Sequence, residues 1–386
     1  MVIIKFHSSS VRSIFRKVFR MAQLTEVMKN RLHALNGIRQ VSYRYELLNK
    51  NDIKVRQNDL PCVNGRITYD SEAVIKRTAS FYMANSTSID WLNHRIRPVM
   101  RLQLEGDDYV EWPLGIFIPA TAVREINSGD MIKLDCYDAS LIIDEDKLDN
   151  RYRIPAGTAY TKAIKDILAS AGLWKCSIAE NIGVIGVDKE YEIGVPKIDV
   201  INSLLREMNY TSIYVDEYGY FVSSPYIKPT KREVDYEYRT DGQSIILTGG
   251  RLEETDIFNT PNHWVVTCST PEKAVLVSTY TNSNPTSLTS TISRGRKIVS
   301  CRWVDDILDQ ATLDGYVQRI AYEESSDICN RIRFSTPNMP NHGYMNCLWF
   351  EDAQMGISGK YIESSWEMNL GENGGMSHVI KKVVNV

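Results

Sequence analysis

The chain has 386 residues, 43% hydrophobic and 24% charged, with a formal net charge of −3. That is enough length for roughly two to four compact domains, with the composition of an ordinary soluble globular protein. The near-neutral balance excludes a whole-chain electrostatic case for binding nucleic acid or an anionic membrane, and no apolar run of about 18 residues predicts a transmembrane helix.

The first 31 residues are basic, with Lys5, Arg12, Arg16, Lys17, Arg20, Lys29 and Arg31 against Glu26. VRSIFRKVFRM has the form of an amphipathic targeting or membrane-surface segment. The favoured expectation is a poorly ordered extension, with translation starting at Met21, because MAQLTEVMKNRLHALNG makes a complete helical N-terminus. Its apolar run is too short and too broken by charge for a secretory signal.

From Ile38 the pattern has period two. VSYRYELL places Val41, Tyr43 and Tyr45 on one face and Ser42, Arg44 and Glu46 on the other. Turn residues at 49–52 are followed by strands at 66–69 and 74–83, a short helical or irregular crossover at 91–97, and a strand at 99–104. After the turn at 105–108, Tyr109 to Pro119 returns as a strand that closes the first β module. Ile132 to Tyr137 is a further strand, placed at the head of a mixed module.

In that module Ala159, Ala163, Ile164, Ile167, Leu168 and Ala171 form a helical stripe, with Thr158 as N-cap and Gly172 as the stop. A second helix carries Val200, Ile201, Leu204, Leu205 and Met208, with Pro196 near its first turn. Residues 177–193 are expected to be strand-like, and SIYVDEYGYFVSSPY to be a hairpin turning at Asp216 to Gly219. The last module has strands at 257–267, 274–280, 297–303, 331–334, 345–350, 360–368 and 378–384. It also has one helix from about Asp306, striped by Ile307, Ala311, Tyr316, Val317, Ile320 and Ala321. The predicted class is α+β, mostly β. A basic extension spans 1–35, a first tube-like β-barrel 36–128, a small α/β insertion 129–241 and a second tube-like β-barrel 242–386.

No catalytic constellation emerges. There is no GxSxG elbow, HExxH or P-loop. Gly183-Val184-Ile185-Gly186 lacks the third glycine of a phosphate loop. His7, His33, His94, His263, His342 and His378 have no local Asp or Cys partner and read as surface or satisfied packing residues. The acids Asp144, Glu145, Asp146 and Asp149 lack the glycine and distal glutamate of a calcium loop and read as a solvated turn. Glu253, Glu254 and Asp256 read as a polar edge, and nothing selects the facing carboxylates of a glycoside hydrolase. Trp112, Trp264, Trp303, Trp349 and Trp366 lie in strand-like runs, which suits core or interface packing before carbohydrate stacking. Cys62, Cys136, Cys176, Cys268, Cys301, Cys329 and Cys347 are scattered, with no CxxC, as reduced thiols of a cytosol-made protein are. The prediction is no catalytic, cofactor or metal residue, and no enzyme.

Five stretches together resemble the baseplate hub proteins of phage tails, especially those of Gram-positive contractile tails and phage-like elements. They are EWPLGIFIPA (111–120), GDMIKLDCYDASLIIDEDKL (129–148), YRIPAGTAYTKAIKDILASAGLW (152–174), VDDILDQATLDGYVQRIAYEESS (304–326) and IRFSTPNMPNHGYMNCLWF (332–350). The order of elements matches over about 40–386. One departure is Asn346, neutral near a position after the histidine where family members often carry an acid. No active site is carried over.

The resemblance implies a structural, non-enzymatic role in the virion tail baseplate, made in the bacterial host cytoplasm. Hubs of this kind are homotrimers at the tip of the tail tube. Two tube-like barrels per subunit give a pseudo-sixfold ring, joining the hexameric tail tube protein to the trimeric central spike protein. Such a repeat within one chain is how threefold symmetry meets a sixfold partner. Other baseplate proteins and the tape-measure protein are further implied partners. DNA passes through without specific binding, as a near-neutral chain suits. The alternatives are a tail-associated receptor or carbohydrate-binding protein, or a hub with cell-wall hydrolase activity.

Overall fold

The computed structural model describes residues 26–33, 39–84, 89–104, 106, 108–125, 130–241, 244–247, 249–254, 260–269, 275–304, 307, 309–328, 331–371 and 374–383. Most of the basic extension, with His7, and also Asp256 and Cys329, lie outside the described residues.

The first half opens with helix α1 (Glu26–Leu32), whose Leu32 is wholly buried in the core. Seven strands follow: β1 (Val41–Asn49), β2 (Cys62–Asp70), β3 (Arg77–Ala84), β4 (His94–Gln103), β5 (Tyr109–Pro113), β6 (Ile118–Glu125) and β7 (Met131–Tyr137). β1, β4 and β5 form one antiparallel sheet, and β2, β3, β7 and β6 run side by side in another. Period two decides what is buried: Ala79, Phe81 and Met83 of β3 point inward with Ile67 and Tyr69 of β2, against Tyr45, Leu47, Met100 and Leu102 of the facing sheet.

Three expectations change here. The crossover expected at 91–97 is largely strand β4, because buried Ile96, Met100 and Leu102 continue one inward face. Tyr109 to Pro119 is two strands in two sheets, not one. The chain turns the corner at Gly115, whose φ is +134°, and Ile96 and Phe117 exchange backbone hydrogen bonds of 2.8 Å across it. Met131–Tyr137 is hydrogen bonded to β3 and β6, so the chain leaves this sheet only after Tyr137.

The next stretch contains α2 (Ser140–Glu145), β8 (Tyr152–Ile154), α3 (Tyr160–Ser170), β9 (Cys176–Ile178), β10 (Lys189–Tyr191), α4 (Lys197–Glu207), β11 (Tyr214–Val215) and β12 (Phe221–Ser223). The predicted stripes pack together: Ala163, Ile164, Ile167 and Leu168 of α3 meet Val200, Ile201, Leu204 and Leu205 of α4 in one apolar core. Gly172, at φ +73°, ends α3 as expected. Thr158 is not its cap; the hydroxyl donates to the Pro155 carbonyl at 2.7 Å. The predicted hairpin is β11–β12, its turn held by Asp216 Oδ1, which accepts from the amides of Tyr218 and Tyr220 at 3.0 and 2.8 Å. Its Tyr214 stacks on Tyr344 at 4.6 Å, and Lys175 pairs with Asp52 at 2.8 Å, fixing the insertion against both halves.

The last part comprises β13 (Tyr236–Arg239), β14 (Leu252–Glu254), β15 (His263–Cys268), β16 (Leu276–Thr281), α5 (Thr291–Arg294), β17 (Val299–Val304), α6 (Gln310–Ile328), β18 (Arg331–Pro337), β19 (Cys347–Asp352), β20 (Ile357–Asn369) and β21 (Gly375–Lys382). β16, β15 and β17 form a small sheet under α6, where Leu313, Val317, Ile320 and Ala321 bury Trp264 and Val266. The helix starts later than expected, at Gln310, because Asp309 caps it, accepting from the Thr312 amide at 2.8 Å.

The α+β, mostly β class holds, but the two halves are not closed barrels. They are parts of one open ten-stranded sheet, ordered β14-β18-β21-β20-β2-β3-β7-β6, with β19 branching from β20 and β13 pairing with β19. The reason is the length of β20. Its first part, Ile357 to Ile362, pairs with β19, and its last part, Ser365 to Asn369, pairs with β2 of the first half. One strand thus serves both halves, and a register shift between Glu363 and Ser365 marks the hand-over.

Candidate functional site

The polar group with the most structure around it sits at that hand-over. Glu363 of β20 lies between His342, in the loop before β19, and His378 of β21. Its Oε2 accepts from His342 Nδ1 at 2.6 Å and its Oε1 from His378 Nδ1 at 2.7 Å. The outer nitrogens are also occupied: His342 Nε2 meets the Tyr238 hydroxyl of β13, and His378 Nε2 the Thr336 hydroxyl of β18, each at 2.8 Å. An ionised carboxylate only accepts, so each imidazole carries its proton on Nδ1 toward Glu363. The five groups form one chain across four strands and a loop.

Both histidines and Glu363 are buried, and the flanking surfaces are aromatic. Tyr236 stacks on His342 at 4.5 Å and Phe334 on His378 at 4.6 Å. Burial alone would raise the Glu363 carboxyl; attraction and hydrogen bonding from His342 and His378 outweigh it and hold the group down at about 2. Burial lowers His378 below the ordinary imidazole value, only partly countered by Glu363.

The loop that delivers His342 is built by its neighbours. Asn341 and Met345 adopt left-handed φ of 70° and 50°. Asn346 accepts from the Gly343 amide through Oδ1 at 2.6 Å, and its carbonyl accepts from the Glu363 amide at 2.8 Å. The residue singled out as a neutral departure from the hub pattern therefore closes this loop and ties it to β20.

The donor atoms of His342, Glu363 and His378 lie within 4.8 Å of one another, a grouping open to a metal reading. The contacts of 2.6 and 2.7 Å are hydrogen-bond spacings. Ligands on a tetrahedral zinc ion sit roughly 3.3 Å apart, given bonds of about 2.0 Å. The arrangement suits a proton-held carboxylate better than a ligated ion. The adjoining enclosed void, lined by Arg77, Leu114, Glu217, His342 and Trp366 among others, measures about 10 Å³, the size of a single water. It cannot admit an organic substrate.

The other candidates from the sequence stay apart. In the 183–186 stretch, Ile185 is buried and its amide donates to the Thr158 carbonyl at 2.8 Å, as a packed loop does. Of the acids, Asp146 pairs with Lys197 at 2.6 Å, and Glu254 of the exposed strand β14 pairs with Arg333 at 3.6 Å. Trp112, Trp264 and Trp366 are core residues, whereas Trp303 is 75% exposed. No disulfide joins the described cysteines, and Cys301 is exposed. No helix among the described residues is long and apolar enough to cross a membrane.

The sequence reading missed Glu363 and the pairing of two histidines 36 positions apart. A signal existed in β21, where alternation puts His378 on the same face as buried Met376 and Ile380. A histidine on a core face needs a buried partner.

No protein-family model matches the sequence, and no curated protein matches it. Solved structures do match. A tail protein from Neisseria meningitidis MC58 superposes with a TM-score of 0.65 at 12% identity, covering 88% of this chain and 97% of that one. The 43 kDa tail protein of prophage MuSo2 from Shewanella oneidensis gives 0.60 at 11% identity, with 88% and 98% covered. Prophage tail protein gp18 from Listeria monocytogenes EGD-e gives 0.54 at 9%, with 88% and 94% covered. This chain has the fold of those tail proteins over nearly their whole length.

Proposed function

We propose that the chain is a structural, non-enzymatic hub of a phage or phage-like tail baseplate. The observation that carries the reading is the single sheet shared by two β halves through β20, in a chain with the fold of tail proteins. In this reading each half supplies one tube-like unit, so a trimer has six, the count a hexameric tail tube requires above a trimeric spike. In this reading the β halves form the ring. The α/β insertion, from the end of β7 to the start of β13, faces outward toward other baseplate proteins. The tube protein, the central spike protein and the tape-measure protein are its partners, and DNA passes through unbound. The protein acts in the virion tail after synthesis in the host cytoplasm.

Light scattering on the purified chain, alone and with its spike, tests this. The expected species is a trimer of the 44.1 kDa chain, either by itself or within a heavier complex with the spike. A strict monomer in both overturns the reading.

A carbohydrate-binding tail protein is the second reading, favoured by Trp174 and Trp303, which are 78% and 75% exposed. A cell-wall pull-down separates the two, since a hub stays in the unbound fraction. Zymography on host walls addresses hydrolase activity, where clearing would reverse the non-enzyme assignment.

A further inference from the structure

We propose that the chain Tyr238–His342–Glu363–His378–Thr336 is a proton-operated latch that ties the loop before β19 and strands β13, β18 and β21 to β20, beside the join of the two β halves, at neutral pH and releases them in mild acid. The inference goes beyond the hub reading and does not depend on it.

The placement makes it a latch. Glu363 lies where β20 passes from β19 to β2, next to the register shift, so regular ladder bonding is interrupted there. The side-chain bonds to His342 and His378 bridge that gap, tying the loop before β19 and strand β21 to one point of β20. Ser364, also buried, adds a bond to the Val379 carbonyl at 3.1 Å, and its own carbonyl accepts from Ser71 of the first half at 2.8 Å.

The closed arrangement admits one pattern of protons. Glu363 uses both oxygens as acceptors, and His378 Nε2 accepts from Thr336. A proton on Glu363 removes an acceptor from one imidazole. A proton on His378 Nε2 sets a donor against the hydroxyl that donates to it and adds a charge between Phe334 and Tyr238. The added charge has no water to meet it, because His378 is 0% exposed.

The other charged groups near the chain act on its tyrosines or are engaged elsewhere. Arg39, which bonds the Asn338 carbonyl, acts on Tyr238; Asp235 and Glu217 act on Tyr236. Asp235 is engaged with the Cys347 amide at 2.8 Å, and Glu217 lines the neighbouring void. Glu237 and Arg239 of β13 and Arg333 of β18 alternate to the opposite, exposed face, and Lys381 pairs with Glu72.

His378 in the closed state lies below its ordinary 6.5 and Glu363 below its ordinary 4.5. Each contributes stability that is full above its ordinary value and is lost as pH falls toward the folded one. Opening should therefore begin below 6.5 through His378 and deepen below 4.5 through Glu363.

The test is hydrogen–deuterium exchange on the full chain between pH 8 and pH 4, corrected for the intrinsic pH dependence of exchange. The expected result is a loss of protection in peptides covering 334–346, 360–368 and 376–382 between pH 7 and 5, while α3 and α4 keep theirs. The variant His378→Gln, which does not titrate, should lose the step that begins below 6.5. Protection in those peptides that is the same at pH 5 as at pH 7 overturns the proposal. So does loss in step with α3 and α4, or an unchanged step in His378→Gln. The wild-type measurement decides the matter by itself if that variant does not fold.

Discussion

Tyr69 and Trp366 stand directly opposite each other on β2 and β20 and stack with centroids 5.5 Å apart and ring planes 12° from parallel. Tyr69 belongs to the first β half and Trp366 to the strand that both halves share, so the join between the halves has an aromatic centre beside its polar one. Both are buried, and neither the Trp366 indole N–H nor the Tyr69 hydroxyl reaches a hydrogen-bond partner. The pair therefore works through packing. Trp366→Ala is expected to lower stability by about 3–5 kcal/mol, the range for removing a large buried aromatic. A double-mutant cycle with Tyr69→Leu and Trp366→Leu should return a coupling of about 0.5–1.5 kcal/mol. Urea unfolding of the five proteins gives both numbers, and strict additivity would show that the stack has no energetic meaning.

Local pattern was legible in the sequence and long-range pairing was not. The stripes of α3 and α4, the β11–β12 hairpin and the alternation in β1 and β3 were all readable, because each is decided by residues a few positions apart. The two-barrel picture failed on β20. Nothing within ISGKYIESSWEMN says that its first part pairs with β19 and its last part with β2, some 300 positions back. The histidine chain was hidden for the same reason. His342, Glu363 and His378 meet only after β18, β20 and β21 are aligned, whereas a motif search looks for partners nearby in sequence. The phrase EWPLGIFIPA, read as sequence alone, carries no physical reason for its form. The structure supplies one at Gly115.

Gly115 has φ +134°, and a Cβ there would lie 2.9 Å from Arg77 Cδ and 3.0 Å from Phe117 Cε2. The corner between β5 and β6 thus needs glycine twice, for its backbone and for the space that buried Arg77 and Phe117 occupy. Gly115→Ala is expected to cost about 2 kcal/mol or more, since backbone strain of this kind is of order 1–3 kcal/mol before the steric term. Thermal unfolding measures it; a melting temperature within error of wild type would show that the corner can relax.

The insertion carries its own buried ion pair. Lys189 meets Glu207, with side-chain exposures of 11% and 1%, and Glu207 Oε2 accepts from the Tyr160 hydroxyl at 2.8 Å. Lys189→Met leaves a buried carboxylate without its cation, and removing one partner of such a pair costs about 3–5 kcal/mol. Lys189→Met combined with Glu207→Gln should recover most of the loss, because the uncompensated charge is then gone. Exchange protection of α3 and α4 is the readout, and a single variant as protected as wild type would mean that solvent reaches Glu207.

Lys76 gives a pH dependence at the alkaline end. Its ammonium is buried and donates to the carbonyls of Ser71 and Ala73 at 3.0 Å each. Burial pulls its pKa down to about 8, with Asp138, Asp70 and Glu72 opposing. The folded value is below the unfolded one, so the stability linked to this group is present above 10.5 and is lost as pH falls through 8. Lys76→Met has no such group. The stability of wild type relative to Lys76→Met should therefore rise between pH 8 and 10.5 and be level below 8. Taking the difference cancels the tyrosines and cysteines that titrate in the same range, because both proteins contain them. Urea unfolding of the two proteins at intervals of one pH unit supplies the curve. A difference that stays flat across that window would mean that Lys76 reaches water and keeps its ordinary proton affinity in the folded chain.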